Sequence, residues 1–338
     1  VTMPKEFLSR HNIDENSIKK IIKDFSNLSI CVIGDLIIDE YITCEPLGMS
    51  QEDPTIVVTP IDRTKFLGGS AIVASHAAGL GAKVEYISVI GNDYIAEVSR
   101  DMLSKHKINT NLFTDNNRKT ILKKRYRSNG KTLLRVNSLQ QNEISSEIQE
   151  KIFVKINEII DDIDLLVFSD FNYGCLPQTL VDKISNLTKK KNIITAADSQ
   201  SSSQIGDIER FKNMDLLLPT EHEARLSLKN RKDGLVIIAE KILKKANASN
   251  VILKLGQEGI IIQTQDNKTK WSTDRIKALN PNPKDVAGAG DSMLITAAMS
   301  LALKGNIWQS GLIGSIASFV QVGRVGNSPL NVEELLRE

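Results

Sequence analysis

Ser29-Ile30-Cys31-Val32-Ile33-Gly34-Asp35 is the stretch that decides the fold class. Its consecutive apolar residues leave no polar face, as in a strand covered on both sides. Similar short apolar runs recur at Val84–Ile90, Leu165–Phe168, Asn192–Ala196, Leu216–Leu218 and Val251–Leu255. Between them lie amphipathic stretches of helical length at Ser70–Leu80, Ala96–His106, Ser145–Ile160, Leu180–Lys190 and Leu235–Lys245. Covered strands alternating with helices predict βαβ units, hence an α/β fold on a mainly parallel sheet.

Two stretches break the alternation. Thr55–Ile61 is β-branched between Pro54 and Pro60, and Thr120–Val136 reads as two strands around Ser128-Asn129-Gly130. Asn-Gly is a strong hairpin signal. The expectation is a small β-sheet lid built from segments of roughly 41–62 and 110–137. Residues 5–25 place Ile18, Ile21, Ile22 and Phe25 at helical spacing and read as a surface helix leading into the body. The predicted organisation is an N-terminal helical extension over 1–28 and one domain over 29–338.

Composition narrows the partners. Of 338 residues, 41% are apolar and 25% charged, which excludes a mostly disordered chain. The net charge of +2 argues against a global nucleic-acid-binding surface. No apolar run reaches the roughly 18 residues of a membrane span. Residues 1–20 are charged and lack a secretory core. Cys31, Cys44 and Cys175 are scattered without a CxxC pair, which predicts a reducing, cytoplasmic setting with neither disulfides nor structural zinc.

The strongest chemical signal is Asp285-Val286-Ala287-Gly288-Ala289-Gly290-Asp291-Ser292, leading into a small, apolar helix over Met293–Leu303. Glycines at a helix start let backbone N–H groups face a ligand, and the helix dipole turns that spot into an anion hole. Asp291 falls in the first turn, where a carboxylate beside a phosphate can deprotonate an attacking hydroxyl. A tight glycine turn before a capped helix is the plainer reading of the same residues. Gly68-Gly69 open a second helix, where close helix–strand packing competes with ligand approach. Asp35 and Asp39 follow the first strand, where ligands of open α/β sheets collect; turn capping is the alternative.

Between Arg118 and Arg135 there are eight basic residues and no acidic one. Alternation along a strand puts Lys123, Arg125 and Arg127 on one face. Lysine protection of an edge strand explains one such residue better than three. A phosphorylated substrate explains all of them, and Tyr126 as the run's single aromatic makes a poor platform for stacked bases. His222 has no metal-binding partners in sequence and reads as a solvated helix residue. No P-loop, nucleophile elbow or GxGxxG follows the first strand.

In their order, these segments resemble the ribokinase-like (PfkB) carbohydrate kinases from about Leu28 to Pro329. Asp285–Asp291 is close to D-[TV]-T-G-A-G-D. Gly68-Gly69 with Ala74 and Leu80-Gly81-Ala82 resembles the amino-terminal signature, and Gly34-Asp35 with Asp39 the first strand. Lys254–Gly259 resembles the TLGxxG loop, Pro219 with Glu223 resembles PNxxE, and Gly323–Gly326 the last loop. Within the family the chain looks most like the heptose-7-phosphate kinases of the ADP-heptose pathway. Ser169–Gly174 is similar to SDYxxG, Pro46–Pro54 with Ser50 and Glu52 to ISPEAP, and Lys123, Arg125 and Arg135 to the basic lid positions. The GHxxxxxGH-type motif of a fused nucleotidyltransferase is not among these residues, so the resemblance implies the kinase half alone.

The resemblance implies a three-layer α/β/α core with a β lid, and transfer of the γ-phosphoryl group of Mg-ATP to a sugar hydroxyl. Asp291 would be the base, and the backbone of Gly288, Ala289 and Gly290 would shape the anion hole. Asp35, Asp39, Gly68 and Gly69 would meet the sugar, and Lys123, Arg125 and Arg135 a phosphate already on it. Lys254, Gly256, Gly259 and Ser315 would lie at the nucleotide. Glu223 would act on Mg²⁺ through water. A monovalent cation, K⁺, would sit among backbone oxygens near Asp285 and Arg324–Ser328, and the lid would join two copies in a homodimer. Ile72, Thr220 and Ala287 depart from the family's Asn, Asn and Thr, which implies an altered sugar pocket. A kinase for an unphosphorylated sugar (ribokinase or fructokinase type) and a catalytically weakened sugar-phosphate-binding regulator remain competing readings.

Overall fold

Two short helices, α1 (Lys5–Arg10) and α2 (Glu15–Asp24), precede β1 (Ser29–Gly34) in the computed structural model, which describes residues 2–201 and 205–338. Val1, the first residue of the expected extension, lies outside the described residues. A long hairpin, β2 (Leu36–Met49) and β3 (Ile56–Gly69), follows β1. Next come α3 (Ser70–Gly79), β4 (Lys83–Ile90), α4 (Tyr94–Ser104) and β5 (Ile108–Thr114). A second hairpin joins β6 (Ile121–Ser128) to β7 (Lys131–Ser138). The chain continues through α5 (Ser146–Ile159), β8 (Leu165–Asp170), α6 (Gln178–Lys190), β9 (Ile194–Ser199) and β10 (Leu216–Leu217). It then forms α7 (Glu221–Leu228), α8 (Leu235–Lys245), β11 (Asn250–Lys254), β12 (Ile260–Thr264) and β13 (Thr273–Ile276). The last elements are α9 (Ala289–Ala302), α10 (Ile307–Val322) and α11 (Val332–Leu336).

Nine strands form the main sheet in the order β13-β12-β11-β10-β9-β8-β1-β4-β5. From β11 to β5 all pairings are parallel, and β12 and β13 extend the sheet antiparallel. The central place of β1 explains its uninterrupted apolar run. Ile30 and Val32 enter the core on one face, with α3, α9 and α10; Cys31 and Ile33 enter the core on the other, with α5, α6 and α8. This is the expected α/β/α layering. Cys31, Cys44 and Cys175 are buried free thiols. Among the described residues no helix is long and apolar enough to cross a membrane.

The second sheet is the lid, ordered β3-β2-β6-β7. Its boundaries correct the sequence reading. β2 begins at Leu36 and β3 runs to Gly69, so the hairpin is longer than 41–62, while residues 108–114 form the edge strand β5 of the main sheet. Pro60 sits in β3 on the lid's edge, opposite Cys44 at an irregularity in register, where a missing N–H costs no ladder bond. Residues 5–25 are two helices rather than one. Asn12 takes a left-handed conformation, and the Asp14 carboxylate accepts from the Ser17 N–H to start α2. Nor is this segment confined to the surface: Phe7, Ile18, Ile22 and Phe25 are buried in the same cluster as Trp308 and Leu312 of α10.

Candidate active site

The carboxyl ends of β1, β8, β9 and β11 point to one side of the sheet, the place where open α/β sheets collect ligands. There α9 and the lid enclose a cavity of about 610 Å³, large enough for two small substrates. Asp39, Gly69, Lys123, Arg125 and Arg135 line it from the lid and the start of α3. Glu223, Lys254, Gly256, Gly259, Gly288, Ala289, Gly290, Asp291 and Ser315 line it from the main body. Asp35 and Gly68, also expected to meet the sugar, do not line it.

At the start of α9, Gly288 caps the helix in a left-handed conformation, and a Cβ there would lie 2.2 Å from Asn327 Oδ1. The left-handed backbone and this close approach both favour glycine there. The helix then opens with the N–H groups of Gly290 and Asp291, while that of Ala289 donates to the Val286 carbonyl at 3.4 Å; with the dipole, this helix start suits an anion. Asp291 is 6% exposed. Gln200, just beyond β9, donates from Nε2 to Asp291 Oδ1 at 2.9 Å. Burial and the neighbouring Asp198 push the Asp291 carboxyl up to about 7, against the opposing pull of Lys254.

Lys254 sits at this charge cluster. Its ammonium donates to Asp198 Oδ2 at 2.8 Å, and a Cβ on Gly290 would come within 3.1 Å of it. Burial lowers the lysine's proton affinity, but Asp198, Glu223 and Asp291 raise it further, so it stays above its usual range. Among the described residues, Asp198 Oδ1 is buried without a hydrogen-bond partner. Glu223 is held by a capping box: Thr220 Oγ1 accepts from the Glu223 N–H, and Glu223 Oε1 accepts from the Thr220 N–H. Burial and Asp198 raise the Glu223 carboxyl to about 7. His222 lines the cavity as an exposed residue, and Ile72 is fully buried in α3. Ser315 lines the cavity, and its hydroxyl donates to the Gly311 carbonyl at 2.9 Å.

On the lid side, Arg125 of β6 and Arg135 of β7 are direct cross-strand partners. Like charges in that position repel. Among the described residues neither makes an ion pair within 4 Å. Both act, with Lys123, on Asp39, whose carboxyl burial raises and these cations lower. The Lys123 ammonium also lies 4.9 Å from the Tyr173 ring centre. Gly68 lies behind Asp39: a Cβ there would come within 2.2 Å of Asp39 Oδ2, so the missing side chain makes room for the carboxylate. Asp35 is turned away. Its carboxylate accepts from the Phe171 and Cys175 N–H groups at 2.7 and 3.2 Å, shaping the loop that presents Phe171 to the cavity. Burial and Asp170 raise its carboxyl to about 6.

Sequence reasoning missed Asp198 and Gln200. It placed the strand at Asn192–Ala196, whereas β9 runs from Ile194 to Ser199 and Asn192 is a left-handed turn. A strand end placed three residues later, at Ser199, would have put Asp198 at the carboxyl end of the strand and Gln200 just beyond it. Phe171, Asn137 and Asn327 also line the cavity without having been singled out.

Comparison with known proteins agrees with this geometry. The model of the pfkB family of carbohydrate kinases matches residues 27–333. Bifunctional protein HldE of Aliarcobacter butzleri (strain RM4018) is 30% identical over 311 residues, 91% of this chain and 63% of that protein. The protein of the same name from Sulfurimonas denitrificans (strain ATCC 33889 / DSM 1251) is 29% identical over 94% of this chain and 65% of its own length. The chain thus spans under two thirds of these relatives. In fold it is similar to phosphofructokinase-2 from Escherichia coli in complex with potassium, with a TM-score of 0.74 at 14% identity over 92% of this chain and 97% of that one. It is also similar to Arabidopsis thaliana ribokinase complexed with ribose and ATP, with a TM-score of 0.69 at 15% identity over 92% and 98%. Glycine turn, buried aspartate, lid and matched family model together place this chain in the pfkB family of carbohydrate kinases, phosphotransferases that use an alcohol group as acceptor.

Proposed function

We propose that this kinase transfers the γ-phosphoryl group of Mg-ATP to a hydroxyl of a sugar that already carries a phosphate, with heptose 7-phosphate the first candidate. The observation that carries this reading is the cationic wall of the cavity. Lys123, Arg125 and Arg135 line the same space as Asp291, and two of them face each other across the strands. A phosphate between them turns a repulsive arrangement into charge-assisted hydrogen bonds. The 30% identity over 311 residues to a bifunctional protein HldE supports the choice of sugar.

In this reading the acceptor hydroxyl lies at Asp291, whose carboxylate takes its proton as the phosphoryl group arrives. Gln200 holds Oδ1, leaving Oδ2 for the substrate. The N–H groups at the start of α9 meet charge growing on the transferred oxygens. Gly256, Gly259 and Ser315 border the nucleotide end. Glu223 and the Asp198 oxygen, which has no hydrogen-bond partner among the described residues, suit a magnesium ion held through water. That ion, when bound with ATP, would offset negative charge on the phosphates.

The test is ADP release from Mg-ATP across free and phosphorylated sugars, with Arg125→Ala beside the parent. A lost charge-assisted hydrogen bond is worth about 1.5–3 kcal/mol, so kcat/KM for the sugar phosphate should fall roughly ten- to over a hundredfold. Free-sugar turnover and KM for ATP should hold. Equal effects on both sugars would move the assignment to a free-sugar kinase.

The lid also supports a homodimer. Leu47, Met49, Ile56, Val57, Ile61, Leu133, Leu134 and Val136 are apolar, lie on lid strands and are exposed. A four-stranded sheet with such a surface is suited to a second copy, which would cover both edge and patch.

A further inference from the structure

Behind the anion hole, the segment Asp285–Gly288 faces the turn Gly323–Ser328, the two places where the resemblance puts a monovalent cation. Side chains already join them. Gln321, fully buried in the last turn of α10, donates from Nε2 to the Gly326 carbonyl at 3.1 Å and reaches the Ala287 carbonyl at 3.5 Å. Its Oε1 accepts from Arg324 Nε at 3.3 Å and Nη2 at 3.1 Å. That fork fixes the amide's orientation, so Gln321 cannot turn over and offer its oxygen to a cation. Arg324 Nη2 also donates to the Ser328 carbonyl at 2.6 Å, and Nη1 pairs with Glu334 at 3.0 Å. Asp285 closes the clamp from the other side. Its Oδ1 accepts from the Ala287 N–H, and its Oδ2 accepts from the Gly326 N–H and the Tyr41 hydroxyl.

A cation shell needs several oxygens converging on one point. Here the carbonyls of Ala287, Gly326 and Ser328 face the positive ends of an amide and a guanidinium. Among the described residues Asn327 Oδ1 is buried without a partner, but one amide oxygen beside Gly288 is not a shell. The residues present do not fit a monovalent cation. We propose that Gln321 and Arg324 stand in its place as positioning residues, so that the anion-hole loop of this kinase keeps its shape without K⁺.

Thermal unfolding in tetramethylammonium, sodium and potassium chloride at equal ionic strength tests this without any sugar, so its outcome is independent of the substrate assignment. The parent chain should melt within about 1 °C in all three salts, because a ligand that does not bind shifts no equilibrium. ADP formation with an accepted sugar should likewise be the same in all three. Stabilisation by potassium alone of more than about 3 °C would overturn the proposal. Gln321→Ala removes the amide and frees both carbonyls. It should melt lower in tetramethylammonium and recover part of the loss in potassium. A variant that behaves like the parent in every salt would show that the clamp carries nothing and would also overturn the proposal. If Gln321→Ala does not fold, the parent's salt comparison decides by itself.

Discussion

At Asp291, burial and the Asp198 carboxylate raise the proton affinity while Lys254 lowers it, leaving the carboxyl near 7. A base must be ionised, so kcat should rise with pH through about 7 and level off above it; a rate already flat from pH 5 would remove Asp291 from that role. Asp291→Asn should lower turnover by roughly 10²–10⁴-fold while nucleotide affinity stays nearly unchanged, measured by single-turnover rates and ATP titration. Stability should move the other way. The folded-state value lies above that of an unfolded aspartate, so the folded chain holds the proton more tightly between about pH 4 and 7, and ionisation of Asp291 costs stability as pH rises through that window. Asp291→Asn should therefore be more stable than the parent at pH 8, by on the order of 4 kcal/mol in urea unfolding, with the gap closing towards pH 4. At this scale the glycine turn and Asp291 were legible, because adjacent residues carry the whole signal. Asp198, Gln200 and Lys254 act on Asp291 from the ends of β9 and β11, and no local pattern joins them to it.

The lid shows how an element acquires a function from its pairing. β6 presents Lys123 and Arg125 to the cavity, but Arg135 joins them only through the antiparallel register that sets it opposite Arg125. The Asn129-Gly130 turn made that hairpin readable. The other half was less so. β2 continues directly from the first core strand after Asp35, so no turn or composition change marks where the core stops and the lid starts. The exposed apolar side chains give the lid its own prediction. Leu134→Glu should convert a homodimer to a monomer in sedimentation at micromolar concentration, since a buried unpaired carboxylate opposes association. A parent chain that sediments as a monomer would remove the dimer.

Across the whole molecule, the N-terminal helices belong to the energetic core. Phe7 is 1% exposed and packs on Trp308 with ring centres 6.3 Å apart, while His11 stacks on the same indole at 4.0 Å. Asp274 of β13 holds both Arg10 and His11. Phe7→Ala should lower global stability by about 3–5 kcal/mol in one cooperative transition. A separate early transition, with the main one unmoved, would instead mark residues 5–24 as an independent extension.

The sequence by itself determined the α/β class, the parallel sheet, the lid hairpin and the glycine turn that opens α9. Each is written in contiguous residues, as a period of hydrophobicity or a turn chemistry that the backbone must obey. Tertiary structure alone decided that Asp35 turns behind the cavity, that Lys254 sits among three carboxylates, and that Gln321 and Arg324 bridge the loops behind the site. The side chains that meet in these places are 34 to 140 residues from some of their partners, or approach through the end of a helix whose face is otherwise buried. Their charges and hydrogen bonds exist only once the strands are in order, because electrostatic coupling depends on distance in space and not along the chain.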